Sequence, residues 1–185
     1  EKLSGKGDTS QKLTLMKTSA DSLKKSADAL NDSSLWEKKK IKKKDEKTGE
    51  EIEVEDYDWD KITKAVKSFV EDYNDVVKEA GESNTKDVLR NASWMTGMTD
   101  KNSNMLAKIG ITIGKGNKLE LDEDALKQAD ISSLKTVFTG YNSFVSKISQ
   151  KATGISNAAN RASATYTNNG TYSKTDSSLT SSKID

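Results

Sequence analysis

From Lys12 onward the apolar and small residues Leu13, Met16, Ala20, Leu23, Ala27 and Leu30 recur at steps of three and four, which predicts one helix ending at the polar cluster 31–34. A second stripe, Ile62, Val66, Phe69, Tyr73, Val76 and Ala80, is widened by Ala65, Val70 and Val77. It predicts a helix capped by Asp58 or Asp60 and stopped by Gly81. A third helix is expected after Ser83 and Asn84, with Val88, Leu89, Ala92 and Met95 inward. The stretch 96–100 weakens it, so a bend or a break is expected there before it resumes through Met105 and Leu106 towards Ile109. Last, Leu134, Val137, Phe138, Tyr141, Phe144, Val145, Ile148, Ala152, Ile155, Ala159 and Ala162 hold one stripe. That spacing predicts a single helix of about eight turns, capped by Ser132 or Ser133. Its second half replaces large side chains by alanine, which lets a neighbouring helix come close. Ala152, Ile155, Ala159 and Ala162 are therefore the candidate assembly face.

Two stretches change period from helical to alternating. In 36–60, six lysines fall between Lys38 and Lys44 and seven acids between Glu50 and Asp60, with Ile52 and Val54 alternating with Glu51, Glu53 and Glu55. A charged β-hairpin follows, one basic strand against one acidic strand. In 106–129, Ile111-Thr112-Ile113 and Lys118-Leu119-Glu120-Leu121 flank Gly114-Lys115-Gly116-Asn117, residues suited to the positive φ values of a tight turn. Asp122, Glu123 and Asp124 then open a helix, where acids interact favourably with the helix dipole. A phosphate-cradling loop would run directly into a helix with Gly-Lys-Ser/Thr; this turn runs into a strand. A calcium loop would need oxygen ligands over about twelve residues, a central Gly and a closing Glu. Asp56, Asp58 and Asp60 lack that frame, since Lys61 and Lys67 stand at its sixth and twelfth positions. They retain only a capacity for weak ion binding.

The expected fold is mainly α, an elongated antiparallel helical bundle with one or two small β-hairpins. It divides into a flexible arm 1–10, a helix plus charged hairpin 11–57, a bundle core 58–165 with a small hairpin at 109–121, and a polar tail 166–185. Apolar residues make up 32% of the chain and charged residues another 32%, a composition suited to thin seams between helices. With no Cys and no His, thiol nucleophiles, disulfides and imidazole acid–base chemistry are excluded. No catalytic, cofactor or metal constellation stands out. Lys plus Arg (30) nearly balances Asp plus Glu (29), which argues against nucleic acid as the main partner. No run approaches the roughly 20 apolar residues of a membrane span.

The order of motifs carries more than composition does. AVKSFVEDYNDVVKEAG, residues 65–81, is followed by a connecting helix VLRNASWMTGM and then by LAKIGITIGKGNKLELDEDAL, residues 106–126. In order and spacing they resemble the C-terminal region of the flagellar cap proteins, the hook-associated protein 2 family. NNGTYSKTDSSLTSSKI near the end resembles that family less specifically. The resemblance places Phe69, Val70, Tyr73 and Asn74 in the helical leg of a cap subunit. It places Ile109, Gly110, Ile111, Leu119, Leu121 and Asp122 in its hairpin corner, with Gly110 easing the passage from helix to strand and Asp122 capping the next helix. These roles are structural. A whole member would add an N-terminal segment, β-rich head domains and a closing coiled-coil helix, none of which is in this sequence. The chain is thus expected to be a trimmed leg or a short relative. The resemblance implies a non-enzymatic part of the bacterial flagellum, without cofactor. It would be exported without a cleaved signal peptide, act outside the cell, and assemble with itself and with flagellin or hook-junction proteins. The residues alone also fit a helical adaptor, an export chaperone, a cell-surface spacer, or a basic hairpin that binds anionic surfaces.

Overall fold

A computed structural model describes residues 7–170, with side chains through residue 165. The fold is mainly α with two small antiparallel hairpins, as the periodicities predict. In chain order the elements are α1 (Ser10–Leu30), β1 (Lys39–Lys44), β2 (Glu51–Asp56), α2 (Trp59–Gly81), α3 (Lys86–Lys101) and α4 (Ser103–Ala107). The small hairpin β3 (Ile111–Ile113) and β4 (Leu119–Leu121) follows, then α5 (Glu123–Gln128), α6 (Ile131–Phe138) and α7 (Phe144–Gly170).

Side-chain oxygens start the helices at predictable places. Thr9 accepts the Lys12 N–H at 3.1 Å, Asp58 accepts that of Lys61 at 3.1 Å, and Asp122 accepts that of Ala125 at 3.1 Å. The stripe Leu13 to Leu30 on α1 and the stripe Ile62 to Ala80 on α2 are both buried. Cross-links show how the long helices run. Ser149 donates to Asp28 and Ser156 to Asp21, so α7 ascends as α1 descends. Lys12 donates to the Glu82 carbonyl at the far end of α2, and Tyr73 of α2 meets Thr99 of α3. Arg161 lies beside Asp87 and Lys151 beside Trp94, which sets α7 against α3. Each of α1, α2, α3 and α7 therefore lies antiparallel to its neighbours, in the cyclic order α1–α2–α3–α7. This is an up-down-up-down four-helix bundle, and its shared seam is the hydrophobic core.

One end of that seam is aromatic. Trp36, in a short 3-10 turn after α1, stacks on Phe138 with centroids 5.7 Å apart, and its indole N–H donates to the Leu30 carbonyl at 2.7 Å. Phe69 stands at the centre, 6.2–6.4 Å from the rings of Tyr73, Phe138 and Phe144.

Four expectations are corrected. The long C-terminal helix is broken: α6 starts at Ile131 after Asp130, earlier than Ser132 or Ser133, and ends at Phe138. Gly140 then takes φ +105°, and α7 begins at Phe144. Asn31, the C-cap of α1, grips the break on both sides of one residue. Its side chain accepts the Gly140 N–H at 2.9 Å and donates to the Gly140 carbonyl at 3.2 Å. Tyr141 leaves the stripe and is 87% exposed. The expected break after α3 falls at Asn102, just past 96–100, and the chain resumes in α4 through Met105 and Leu106, but Leu89, expected inward, faces outward at 40% exposure, because the buried line Val88, Ala92, Met95, Thr99 passes beside it. Within the supposed arm 1–10, Asp8 is buried and Ser10 opens α1, while 1–6 lie outside the described residues. Residues 166–170 of the supposed tail continue α7, and 171–185 lie outside the described residues.

Candidate functional site

Asn74 follows the buried Tyr73 on α2, one residue round the helix, so its amide reaches past the bundle surface to β4. It donates to the Leu119 carbonyl at 3.0 Å and accepts the Leu119 N–H at 2.7 Å. A side-chain amide thus replaces the strand that would otherwise pair with this edge. The hairpin itself pairs Ile111 with Leu121 and Ile113 with Leu119. Its turn, a 3-10 segment at Lys115–Asn117, uses φ +67° at Gly116 and +65° at Asn117.

Tyr73 anchors the same region from inside. Its hydroxyl donates to Thr99 at 2.8 Å, and Thr99 donates on to the Met95 carbonyl at 2.9 Å. Burial, partly opposed by that hydrogen bond, pushes the Tyr73 phenol up to about 12, so it stays a neutral donor at all ordinary pH. Ile109, Ile111 and Leu119 are fully or almost fully buried, and Leu121 packs partly buried against the same core. Val70 is nearly buried beside Phe69. Gly110 sits at φ +89° with its carbonyl accepting the Asp122 N–H at 2.8 Å, and Asp122 caps α5. The ten motif residues therefore lie along α2 and the hairpin corner that packs on it, and they form a joint. Asn74→Ala removes both bonds to β4 and is expected to cost about 1–2 kcal/mol, leaving a polar strand edge unpaired. Amide hydrogen exchange at Leu119 should accelerate well before the bundle opens; equal protection in the two proteins would contradict the clamp.

The proposed assembly stripe lies elsewhere in the fold, and here the structure corrects the expectation. Ala152, Ile155 and Ala159 are each 0% exposed, and Ala162 is partly buried against the same core. The close partner that alanine permits is the chain's own α1, helped by α3. Where the helices meet, Ser149 and Ser156 add hydrogen bonds to Asp28 and Asp21 at 2.8 and 2.6 Å.

Asp8 is a residue that helical periodicity does not reveal. Its carboxylate accepts from Ser83 Oγ at 2.6 Å, the Asn84 N–H at 2.8 Å, the Thr85 N–H at 3.1 Å and Thr85 Oγ1 at 2.6 Å. It thereby ties the chain ahead of α1 to the start of α3. Burial pushes its pKa up, but the bonds from Ser83, Thr85 and Asn84 and the charge of Lys12 outweigh this and leave it below the usual carboxylate value. The only local signal is the Asp-Thr-Ser run ahead of the first helix. Asp8→Ala is expected to cost about 1.5–2 kcal/mol at neutral pH by leaving buried donors unpaired. Because the folded pKa is depressed, the wild-type advantage is present above the unfolded value of about 3.9 and is lost as pH falls through the folded one. Urea titrations across that range check it, and a gap that widens in acid would contradict the assignment.

The remaining candidates resolve locally. Asp56 accepts from Lys43 and from the Tyr57 N–H, and Asp58 caps α2, so both are engaged within the chain. Among the described residues no group of three or more metal-ligating side chains converges, and no helix is long and apolar enough to cross a membrane.

The described residues thus form an antiparallel bundle whose motif residues close a helix-to-hairpin joint. The chain belongs to the family described as flagellar hook-associated protein 2 C-terminus, whose model matches residues 83–185, more than half its length. The match includes the whole hairpin corner, Ile109 to Asp122, while Phe69, Val70, Tyr73 and Asn74 on α2 precede it. No curated protein and no solved structure matches the chain.

Proposed function

We propose that this chain is a structural and assembly part of the bacterial flagellum, the helical leg of a cap that sits at the filament tip and promotes flagellin assembly. Family membership over residues 83–185 carries the reading. The joint gives it a physical basis: Asn74 couples α2 to the matched hairpin, so the unmatched and matched parts of the chain form one continuous structural unit. The partners are further copies of the chain and flagellin or hook-junction proteins. The setting is outside the cell, after export without a cleaved signal peptide. Gold-labelled chain mixed with purified flagellin filaments tests this by electron microscopy. Label confined to filament ends is expected. Label along the shafts, or none on filaments at all, would overturn it.

A further inference from the structure

The hairpin β1–β2 takes no part in the joint. Its register sets Lys40 opposite Glu55, Lys42 opposite Glu53 and Lys44 opposite Glu51. All six side chains share one face and are exposed. The Asp45 N–H donates to the Glu50 carbonyl at 2.8 Å across the turn. Antiparallel pairs alternate, so positions 39, 41 and 43 turn their backbone groups inward to 56, 54 and 52. Lys40, Lys42 and Lys44 turn theirs out along one edge, and Glu51, Glu53 and Glu55 along the other. The sheet has only two strands, and both of these edges are unpaired among the described residues. Across the hairpin, the one ion pair within 4 Å among the described residues is Lys43 with Asp56, on the opposite face.

We propose that this hairpin is a self-complementary docking element: the basic edge of β1 receives the acidic edge of β2 from a second copy of the chain, extending the sheet head to tail. Backbone bonds supply the attachment, as in strand addition generally. Charge supplies the direction. Two basic or two acidic edges repel, whereas unlike edges set three lysines against three glutamates on one face. Because each copy offers one edge of each kind, the contact is heterologous and closes into a ring or continues as a fibre. Each strand has only six residues, so a single contact is weak and sensitive to salt. The inference rests on the self-assembly part of the function proposed above and assigns it a surface.

Sedimentation velocity over a concentration series at low and high ionic strength tests it. Wild type should associate, and salt should weaken the association. K40E/K42E/K44E has two acidic edges and E51K/E53K/E55K two basic ones. Each should stay monomeric alone, and an equimolar mixture should associate again. Since like charges within a hairpin can open it, K42P is the second probe. It removes an outward N–H and no bond within the hairpin, and should weaken association by about tenfold or more. Wild type that stays monomeric throughout overturns the proposal, as does K42P that associates like wild type. Retention of a monomeric wild type on phosphatidylserine vesicles, lost in K40E/K42E/K44E, would overturn it in favour of an anionic lipid surface. Filament-end labelling is read separately. Labelling that survives in a chain unable to self-associate overturns the hairpin contact alone if that chain is wild type, and supports it if that chain is K42P.

Discussion

Replacing Phe69 by alanine should lower the unfolding free energy by about 3–5 kcal/mol, a large share of what a domain of this size possesses. Phe69 is 0% exposed and its ring lies edge-on to Phe138 and Phe144 and tilted against Tyr73. Those neighbours come from three helices and are held in place by their own contacts. Phe138 is stacked on Trp36, and Tyr73 is tethered to Thr99. They cannot all move in, so truncation leaves a cavity as well as lost burial. Phe69→Leu, which keeps most of the volume, should cost less than half as much. Urea unfolding followed by circular dichroism measures both, with the slope unchanged and the midpoint shifted. A loss below about 1 kcal/mol for the alanine variant would mean that the aromatic end collapses freely and Phe69 is not its keystone.

Gly110→Val should cost about 3–4 kcal/mol, by a different mechanism. A Cβ at this position would stand 2.8 Å from the Asp122 carbonyl oxygen and 3.0 Å from the Leu126 nitrogen, at φ +89°. Both obstacles are backbone. Asp122 is held by its own hydrogen bond to Gly110 and by its capping of α5, so neither can withdraw without unmaking the corner. Gly116 provides the control. Its φ is +67°, yet nothing lies within 4 Å of a Cβ there, so Gly116→Ala should cost only about 1 kcal/mol, the conformational part. Thermal unfolding of the two variants separates steric closure from backbone preference. Equal losses would show that Gly110 serves only its dihedral angle.

The stripes on α1 and α2, and both hairpins, were legible because their periods persist over many residues and because caps and turn glycines mark their ends. The break between α6 and α7 was not. Tyr141 falls on the helical stripe by spacing, and spacing does not record that Asn31, 109 residues earlier, grips the Gly140 backbone. Asp8 was hidden for the same reason: its composition is that of a loose arm, and its partners are 75–77 residues away. The alanine stripe of α7 marks a place of close approach, but small residues at helical spacing do not say whether the approaching helix belongs to the same chain. The Tyr-Asn pair stood out as a motif, while its reason, one residue for the core and the next for a strand edge, needed the fold.

The most extensive helix contact joins α1 to α7, with the Ser149–Asp28 and Ser156–Asp21 bonds spanning 121 and 135 residues. During synthesis α2 can cover one side of the α1 seam early, but the side that faces α7 stays uncovered until the residues after Phe144 have left the ribosome. Late closure of this kind leaves an interval in which that side of the seam stays open to capture by a holding factor, before the last helix locks it shut.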